Sequence, residues 1–314
     1  MPELPDITLY LDALQRRVVG HGLEGIRVVS PSLLRTADPP LTDAHGKTVR
    51  DVRRIGKQLV LGLQDDLFLV VHLMIAGRFH WRVAGAKIPG KIGLAAFDFR
   101  HGTLLLTEAS TKKRAALHVV RGEADLGRFN AGGIDPLTAD LASVQSALTR
   151  EHHTLKRALT DPHLFSGIGN AYSDEILHRA RLSPVVLTSK LDTGEISRLF
   201  EATRSLLSEW IERLRAETGQ GFPEGVTAFR DGMAVHGRYG HPCPVCDSPV
   251  QRIVYSQNEA NYCPTCQTGE KLLADRALSR LLKADWPKSL EDLTQRRTRQ
   301  VSDSRHTTKR PRRA

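Results

Sequence analysis

Cys243-Pro244-Val245-Cys246 and Cys263-Pro264-Thr265-Cys266 spell C-x2-C-x16-C-x2-C near the end of a 314-residue chain. Two residues between cysteines let both thiolates of one turn reach a single ion. A sixteen-residue spacer is the length of a β-hairpin that carries the second turn opposite the first. Four thiolates suit a closed, tetrahedral Zn²⁺ site with no coordination position left for chemistry. Cys243, Cys246, Cys263 and Cys266 are therefore expected to hold one structural zinc ion in a ribbon finger over 236–268. They are the only cysteines in the chain, too few for a disulfide scaffold, and their pairing points to a reducing compartment.

Upstream of the finger, a long amphipathic helix is expected from about Gly194 to Glu217. Its apolar stripe is Ile196, Leu199, Phe200, Leu207, Trp210, Ile211 and Leu214. Shorter helices are expected over Leu137–Thr149, Leu155–Thr160 and Ala171–Arg179, the last entered through Ser166-Gly167-Ile168-Gly169-Asn170. Between about Leu23 and Arg121 the pattern changes to short apolar or alternating runs. These are Ile26–Ser30, Gln58–Leu63, Leu67–Leu73, Ala95–Phe99, Thr103–Thr107 and Ala115–Val120, a sandwich or barrel pattern. Ahead of them Ile7, Leu11, Leu14 and Val18 mark one face of an N-terminal helix, with Pro5 and Asp6 in its first turn. The fold class is α+β multidomain: a helix plus β-sandwich over 1–133, a helical domain over 137–235, the finger, and an extension over 269–314 with an extra helix at Glu270–Leu282.

Lysine and arginine number 45 against 35 acidic residues, a net charge of +10. Nine of those cations, against three acids, lie in residues 288–314. This tail, expected to be disordered from about Gln295, either adds sequence-independent phosphate attraction or merely solubilises. A basic balance favours nucleic acid as partner. Only 5% of residues are aromatic, which argues against a broad base-stacking surface. No apolar stretch is long enough to span a membrane, and the N-terminus lacks a signal pattern. A cytoplasmic, nucleoid-associated monomer of bacterial type is expected.

Two further features carry chemistry. The chain begins Met1-Pro2-Glu3-Leu4-Pro5-Asp6. A second residue as small as proline permits removal of Met1, which would leave Pro2 with a secondary amine able to attack an electrophilic sugar carbon. Glu3 could then move protons as general acid or base. By itself such a start is equally an ordinary terminus. In Ser166–Asn170 two glycines would let backbone amides approach a phosphate, with Asn170 donating and Lys156 adding charge. The same residues also read as a plain connection with Asn170 as a helix cap.

Four separated pieces occur in one order: Met-Pro-Glu-Leu-Pro, Gly56-Lys57 before a strand, Gly167-Ile168-Gly169-Asn170-Ala171-Tyr172 running to Asp174-Glu175, and the finger ending Tyr262-Cys263-Pro264-Thr265-Cys266-Gln267. Together they resemble the formamidopyrimidine-DNA glycosylase/endonuclease VIII family, over about residues 2–267. The resemblance implies an N-terminal helix and β-sandwich, a helix–two-turn–helix domain and a zinc finger, acting on damaged double-stranded DNA. It makes Pro2 the nucleophile at C1′, Glu3 the proton donor and acceptor, and Lys57 the lysine that contacts phosphate and assists β-elimination. Asn170 matches the phosphate-binding asparagine, and Lys156 sits where the family has a lysine before the two-turn segment.

Departures bear on substrate. Where the family usually has a phosphate-gripping arginine linked to δ-elimination, this chain has Asn258, which lacks the guanidinium's charge and fork. His72-Leu73-Met74-Ile75 puts Ile75 at the position of the family's wedge methionine. Thr111-Lys112-Lys113-Arg114-Ala115-Ala116 replaces an arginine–phenylalanine segment, and Gln220–Arg238 looks too short for a large loop over a flipped 8-oxoguanine. The resulting expectation is a bifunctional glycosylase/AP lyase favouring formamidopyrimidine-type purine lesions. Its rivals are an endonuclease VIII-like pyrimidine glycosylase and a non-catalytic lesion-binding protein.

Overall fold

The computed structural model describes residues 1–227, 229–255, 258–274, 281, 287–293 and 295, with the backbone alone for Tyr255 and Asn258. The N-terminal helix α1 (Leu4–Val18) is followed by strands β1 (Leu23–Val28), β2 (Val49–Ile55), β3 (Gln58–Leu63) and β4 (Leu67–His72), then β5 (Gly77–Arg82), β6 (Gly93–Phe99), β7 (Gly102–Glu108) and β8 (Ala116–Arg121). They form two antiparallel four-stranded sheets, ordered β1-β6-β7-β5 and β2-β3-β4-β8. The sheets enclose a core that includes Leu59, Leu61, Leu69, Val71, Phe79, Phe97, Leu104 and Leu106.

The strands missing from the sequence reading are β2 and β5, and both are sheet edges. An edge strand keeps much of itself in water, so its sequence tolerates charge. β2 reads VRDVRRI and β5 reads GRFHWR. The apolar runs that were legible belong mostly to inner strands.

Helix α1 serves two cores. Ile7, Tyr10, Leu14 and Val18 enter the sandwich core. Leu4 and Leu9 enter a second core made by the helices that follow. Those are α3 (Leu141–Thr149), α4 (Leu155–Thr160), α5 (Asn170–Arg179) and α6 (Thr193–Thr218), after a short α2 (Glu123–Leu126) that covers the outer face of β3, β4 and β8. Helix α3 starts four residues later than its apolar pattern suggested, because Asp140 caps it by accepting the Ser143 N–H at 2.8 Å. In α6, Asp192 and Glu195 cap each other's backbone N–H reciprocally.

After α6 the chain turns back across the sandwich. Phe222 packs on Tyr10, and Val226 is buried in the sandwich core. Glu224 bonds His80 at 2.5 Å and Arg82 at 2.6 Å on β5. The finger then carries its two knuckles on either side of the hairpin of β9 (Gln251–Tyr255) and β10 (Asn258–Tyr262), closed by α7 (Pro264–Thr268). The extra helix expected from Glu270 does not begin there: Glu270 has a φ of +67° and Lys271 bridges to Ser289. Residues 272–274 are not helical either, and the remainder of that expected helix, apart from Leu281, and the tail beyond Gln295 lie outside the described residues. Among the described residues no helix is long and apolar enough to cross a membrane.

Candidate active site

The shared helix places the N-terminus at the seam between the two domains. Leu4 donates its N–H to the Gly167 carbonyl at 2.9 Å, and Pro2 and Glu3 are buried. The Glu3 carboxylate lies at the N-terminus of α5. It accepts backbone N–H bonds from Gly169 at 2.8 Å, Ala171 at 2.9 Å and Tyr172 at 3.1 Å. Unpaired amides at a helix start favour an anion, so the two domains meet through one carboxylate. The approach is close: a Cβ on Gly169 would lie 2.5 Å from Glu3 Cδ. Gly167, at φ +88°, leaves room for Leu4 in the same way.

Around this point stand Lys57, His72 and Arg78. Lys57 occupies the two-residue turn joining β2 to β3, beside Gly56 at φ +60°. Burial pushes its ammonium below the ordinary lysine value, opposed by Glu3 and reinforced by Lys156. Burial likewise lowers the Met1 α-amine below 8.0, with Glu3 opposing and Arg78 and Lys57 contributing. A terminal amine here is thus biased toward its neutral, nucleophilic form. Pro2 itself gains a free amine only once Met1 is removed.

Carboxylates behind Glu3 hold the surrounding segments. Asp6, 1% exposed, accepts the Glu3 N–H at 2.9 Å and pairs with Arg230 at 2.7 Å. Glu175, 3% exposed, accepts the N–H groups of Ala234, Val235 and His236. Asp174 is fully buried between Lys156 at 2.6 Å and His236 at 2.8 Å. Lys156 also donates to the Asn170 carbonyl, so its charge is engaged inside the protein. Asn170 donates its side-chain amide to the Glu259 carbonyl on β10 at 2.9 Å, joining α5 to the finger. Asn258 begins β10 opposite Tyr255, and its side chain is outside the described residues.

A separate groove is lined by Ile75, Glu108, Ser110, Thr111, Lys112 and Arg114. Ile75 is 58% exposed at the tip of the β4–β5 turn, where Met74 has φ +53°. Glu108 is 1% exposed and accepts the N–H groups of Arg114 and Ala115, closing the loop that faces Ile75. Arg78 donates to the carbonyls of Ile75 and Val226, tying the β4–β5 turn to the returning segment.

Sequence reading passed over Arg54, Arg78, Glu108 and Arg230. Arg54 bonds Asp135 at 2.5 Å across the seam. Each is an ordinary charged residue in the sequence, and only its partner gives it a role: a side chain 81 residues away for Arg54 and 224 for Arg230, and main-chain groups for Arg78 and Glu108.

The four cysteine sulfurs all lie within 4.8 Å of one another. Cys246 is 3.4 Å from Cys263 and 3.5 Å from Cys266, and Cys243 is 3.9 Å from Cys266. Bonds of about 2.3 Å in tetrahedral geometry require sulfurs roughly 3.8 Å apart, so the cluster fits zinc. His178 on α5 sets Nε2 3.3 Å from Cys243 Sγ, an outer contact of the kind that orients thiolate ligands.

The chain is thus a sandwich and a helical domain sharing one helix, with a buried carboxylate at their seam and a four-cysteine finger behind. Residues 1–119 match the formamidopyrimidine-DNA glycosylase N-terminal domain, residues 133–220 the formamidopyrimidine-DNA glycosylase H2TH domain, and residues 240–269 the zinc finger found in FPG and IleRS. A formamidopyrimidine-DNA glycosylase of Pelotomaculum thermopropionicum is 32% identical over 278 residues, covering 85% of this chain and 99% of that one. An uncharacterized formamidopyrimidine-DNA glycosylase-like protein of Mycobacterium tuberculosis is 44% identical over 150 residues, 48% of this chain and 91% of the relative. In fold, the chain resembles Lactococcus lactis Fpg in complex with abasic-site DNA, with a TM-score of 0.75, 24% identity and coverage of 85% and 99%. The chain belongs to the formamidopyrimidine-DNA glycosylase family, whose members are DNA-repair enzymes.

Proposed function

We propose that this protein is a bifunctional DNA glycosylase and AP lyase acting on an oxidised base in duplex DNA, with formamidopyrimidine-type purines favoured. The observation that carries the reading is the gathering of Pro2, Glu3 and Lys57 at one buried seam. After loss of Met1, the Pro2 nitrogen attacks C1′ as the N-glycosidic bond breaks, and the damaged base leaves with a proton. Glu3 supplies a proton to the sugar oxygen as its ring opens. The resulting iminium acidifies the C2′ hydrogen. Loss of that proton expels the 3′ phosphate by β-elimination, and water then releases the amine. Lys57, whose ammonium is destabilised by burial, assists the elimination. Asn258 supplies no cation for a second elimination, so the nicked product should retain a 3′ sugar remnant. Zinc, when bound, supplies structure to the finger and no chemistry.

Borohydride trapping on abasic-site duplex tests the reading. A covalent adduct is expected with the wild type, carried by a peptide beginning at Pro2, and none with Pro2→Gly. An intact Met1 on natively expressed protein, or no adduct where a positive control is trapped, would overturn the amine mechanism. In that case specific binding without trapping would support the lesion-binding alternative. A panel of lesion oligonucleotides separates purine from pyrimidine preference.

A further inference from the structure

We propose that His178 is the hydrogen-bond donor that sets how tightly the finger retains its zinc, so that helix α5 holds the metal centre from outside the finger. The inference rests on the zinc reading of the four cysteines and not on the glycosylase chemistry.

Four thiolates around Zn²⁺ leave a net charge of about −2. A charge of that size out of water needs donors aimed at the sulfurs. Cys243 and Cys263 are fully buried, so the protein must supply the donors for these two. The knuckles supply some from their own backbone. The Val245 N–H donates to Cys243 Sγ at 3.5 Å, and the Cys266 N–H to Cys263 Sγ at 3.4 Å. His178 is of another kind. It lies on α5, 65 residues from Cys243 in sequence, and its Nε2 stands 3.3 Å from Cys243 Sγ. The imidazole is itself buried. A metal-bound thiolate has no proton to give, so Nε2 must carry the hydrogen of this bond.

The finger is fastened at the same end of α5 by a second route. Gln267 accepts the Cys263 N–H at 2.8 Å and donates to the Leu182 carbonyl, just past the helix, at 2.9 Å. Both buried cysteines are therefore tied to this end, Cys243 through its sulfur and Cys263 through its main chain. The start of α5 holds the Glu3 carboxylate through the amides of Ala171 and Tyr172. One helix thus runs from the seam to the metal ligands. A buried histidine could instead be filler beneath a knuckle, and chemistry separates the two roles. Phenylalanine keeps a ring and loses the donor; glutamine loses the ring and keeps an N–H that can reach the same sulfur.

The test compares full-length wild type, His178→Phe and His178→Gln in two measurements. The first is zinc affinity, by competition with a chelator. His178→Phe should lose on the order of ten- to a hundredfold, the range for outer partners of metal ligands, and His178→Gln should keep most of the wild-type value. The second replaces zinc with cobalt(II) and reads only folded, metal-bound protein. Losing a donor raises the energy of the sulfur lone pair. The thiolate-to-cobalt charge-transfer band should therefore move to longer wavelength in His178→Phe and stay in place in His178→Gln. Wild-type zinc affinity in His178→Phe, an unmoved band in that variant, or a larger loss in His178→Gln than in His178→Phe would overturn the proposal. Wild-type protein that binds no zinc would overturn the metal reading and this inference with it. Failed borohydride trapping bears on the amine chemistry alone.

Discussion

The seam around Glu3 and the groove beside Ile75 are built on opposite principles. On the seam side, Glu3, Asp6, Asp174 and Glu175 are each at most 3% exposed and each is held by two or more donors. On the groove side, Ile75, Lys112 and Arg114 are exposed at the tips of turns. Buried carboxylates cost several kcal/mol unless fully bonded, so the seam tolerates little rearrangement. Exposed turn tips cost little to move. The arrangement at the seam is therefore fixed in advance, while the groove side remains adaptable. Only the turn bases on that side, Glu108 and Arg78, are firmly bonded.

The largest effect expected of this contrast comes from the finger. It backs the seam through Asn170–Glu259 and His178–Cys243. Chelation, or Cys246→Ser, should unfold it and lower affinity for damaged duplex by on the order of a hundredfold. Zinc content and binding measured on the same sample check this; full affinity in zinc-free protein would show the seam to be independent of the finger.

Gly169→Ala should act next, and only on the seam. The added methyl would meet Glu3 Cδ and displace it from its amides. Hydrogen bonds to a charged group contribute about 1.5–3 kcal/mol each, so a destabilisation of roughly 2–3 kcal/mol is expected, with trapping yield falling more steeply than DNA affinity. Denaturant unfolding beside trapping on abasic duplex distinguishes this from a general loss of fold.

The smallest effect belongs to the β4–β5 turn. Burial, with Lys57 and His118 adding repulsion, pushes His72 down to about 4. Its Nδ1 accepts the Met74 N–H at 3.0 Å, which requires the neutral ring. Between pH 6.5 and about 4 the unfolded chain therefore binds a proton that the folded chain excludes, and stability falls as pH drops through that window. A Tm decline of a few degrees is expected. His72→Asn, whose Oδ1 can accept the same N–H, should flatten part of it. An unchanged pH profile in that variant would mean the turn does not depend on His72.

Much of this was legible in the sequence because it is periodic or covalently local. The inner strands, α1, α5, α6 and the four cysteines carry their spacing with them. Edge strands β2 and β5 were not legible, since solvation of one side lets Arg, Asp and His replace the apolar alternation. The N-terminal motif and the Gly167–Asn170 turn each looked ordinary alone. Their meaning lies in Glu3 bonding residues 166 to 169 positions away.

The sequence by itself determined the modules, the zinc ligands and the candidate chemistry at the chain's head. Those depend on short-range spacing, which the backbone's own geometry translates into helix, hairpin or knuckle. The tertiary structure alone decided that one helix feeds two cores, that Lys156 and Asn170 are bonded within the protein, and that one carboxylate joins the two domains. Those outcomes turn on burial and on partners distant in sequence, and neither is written in any local pattern.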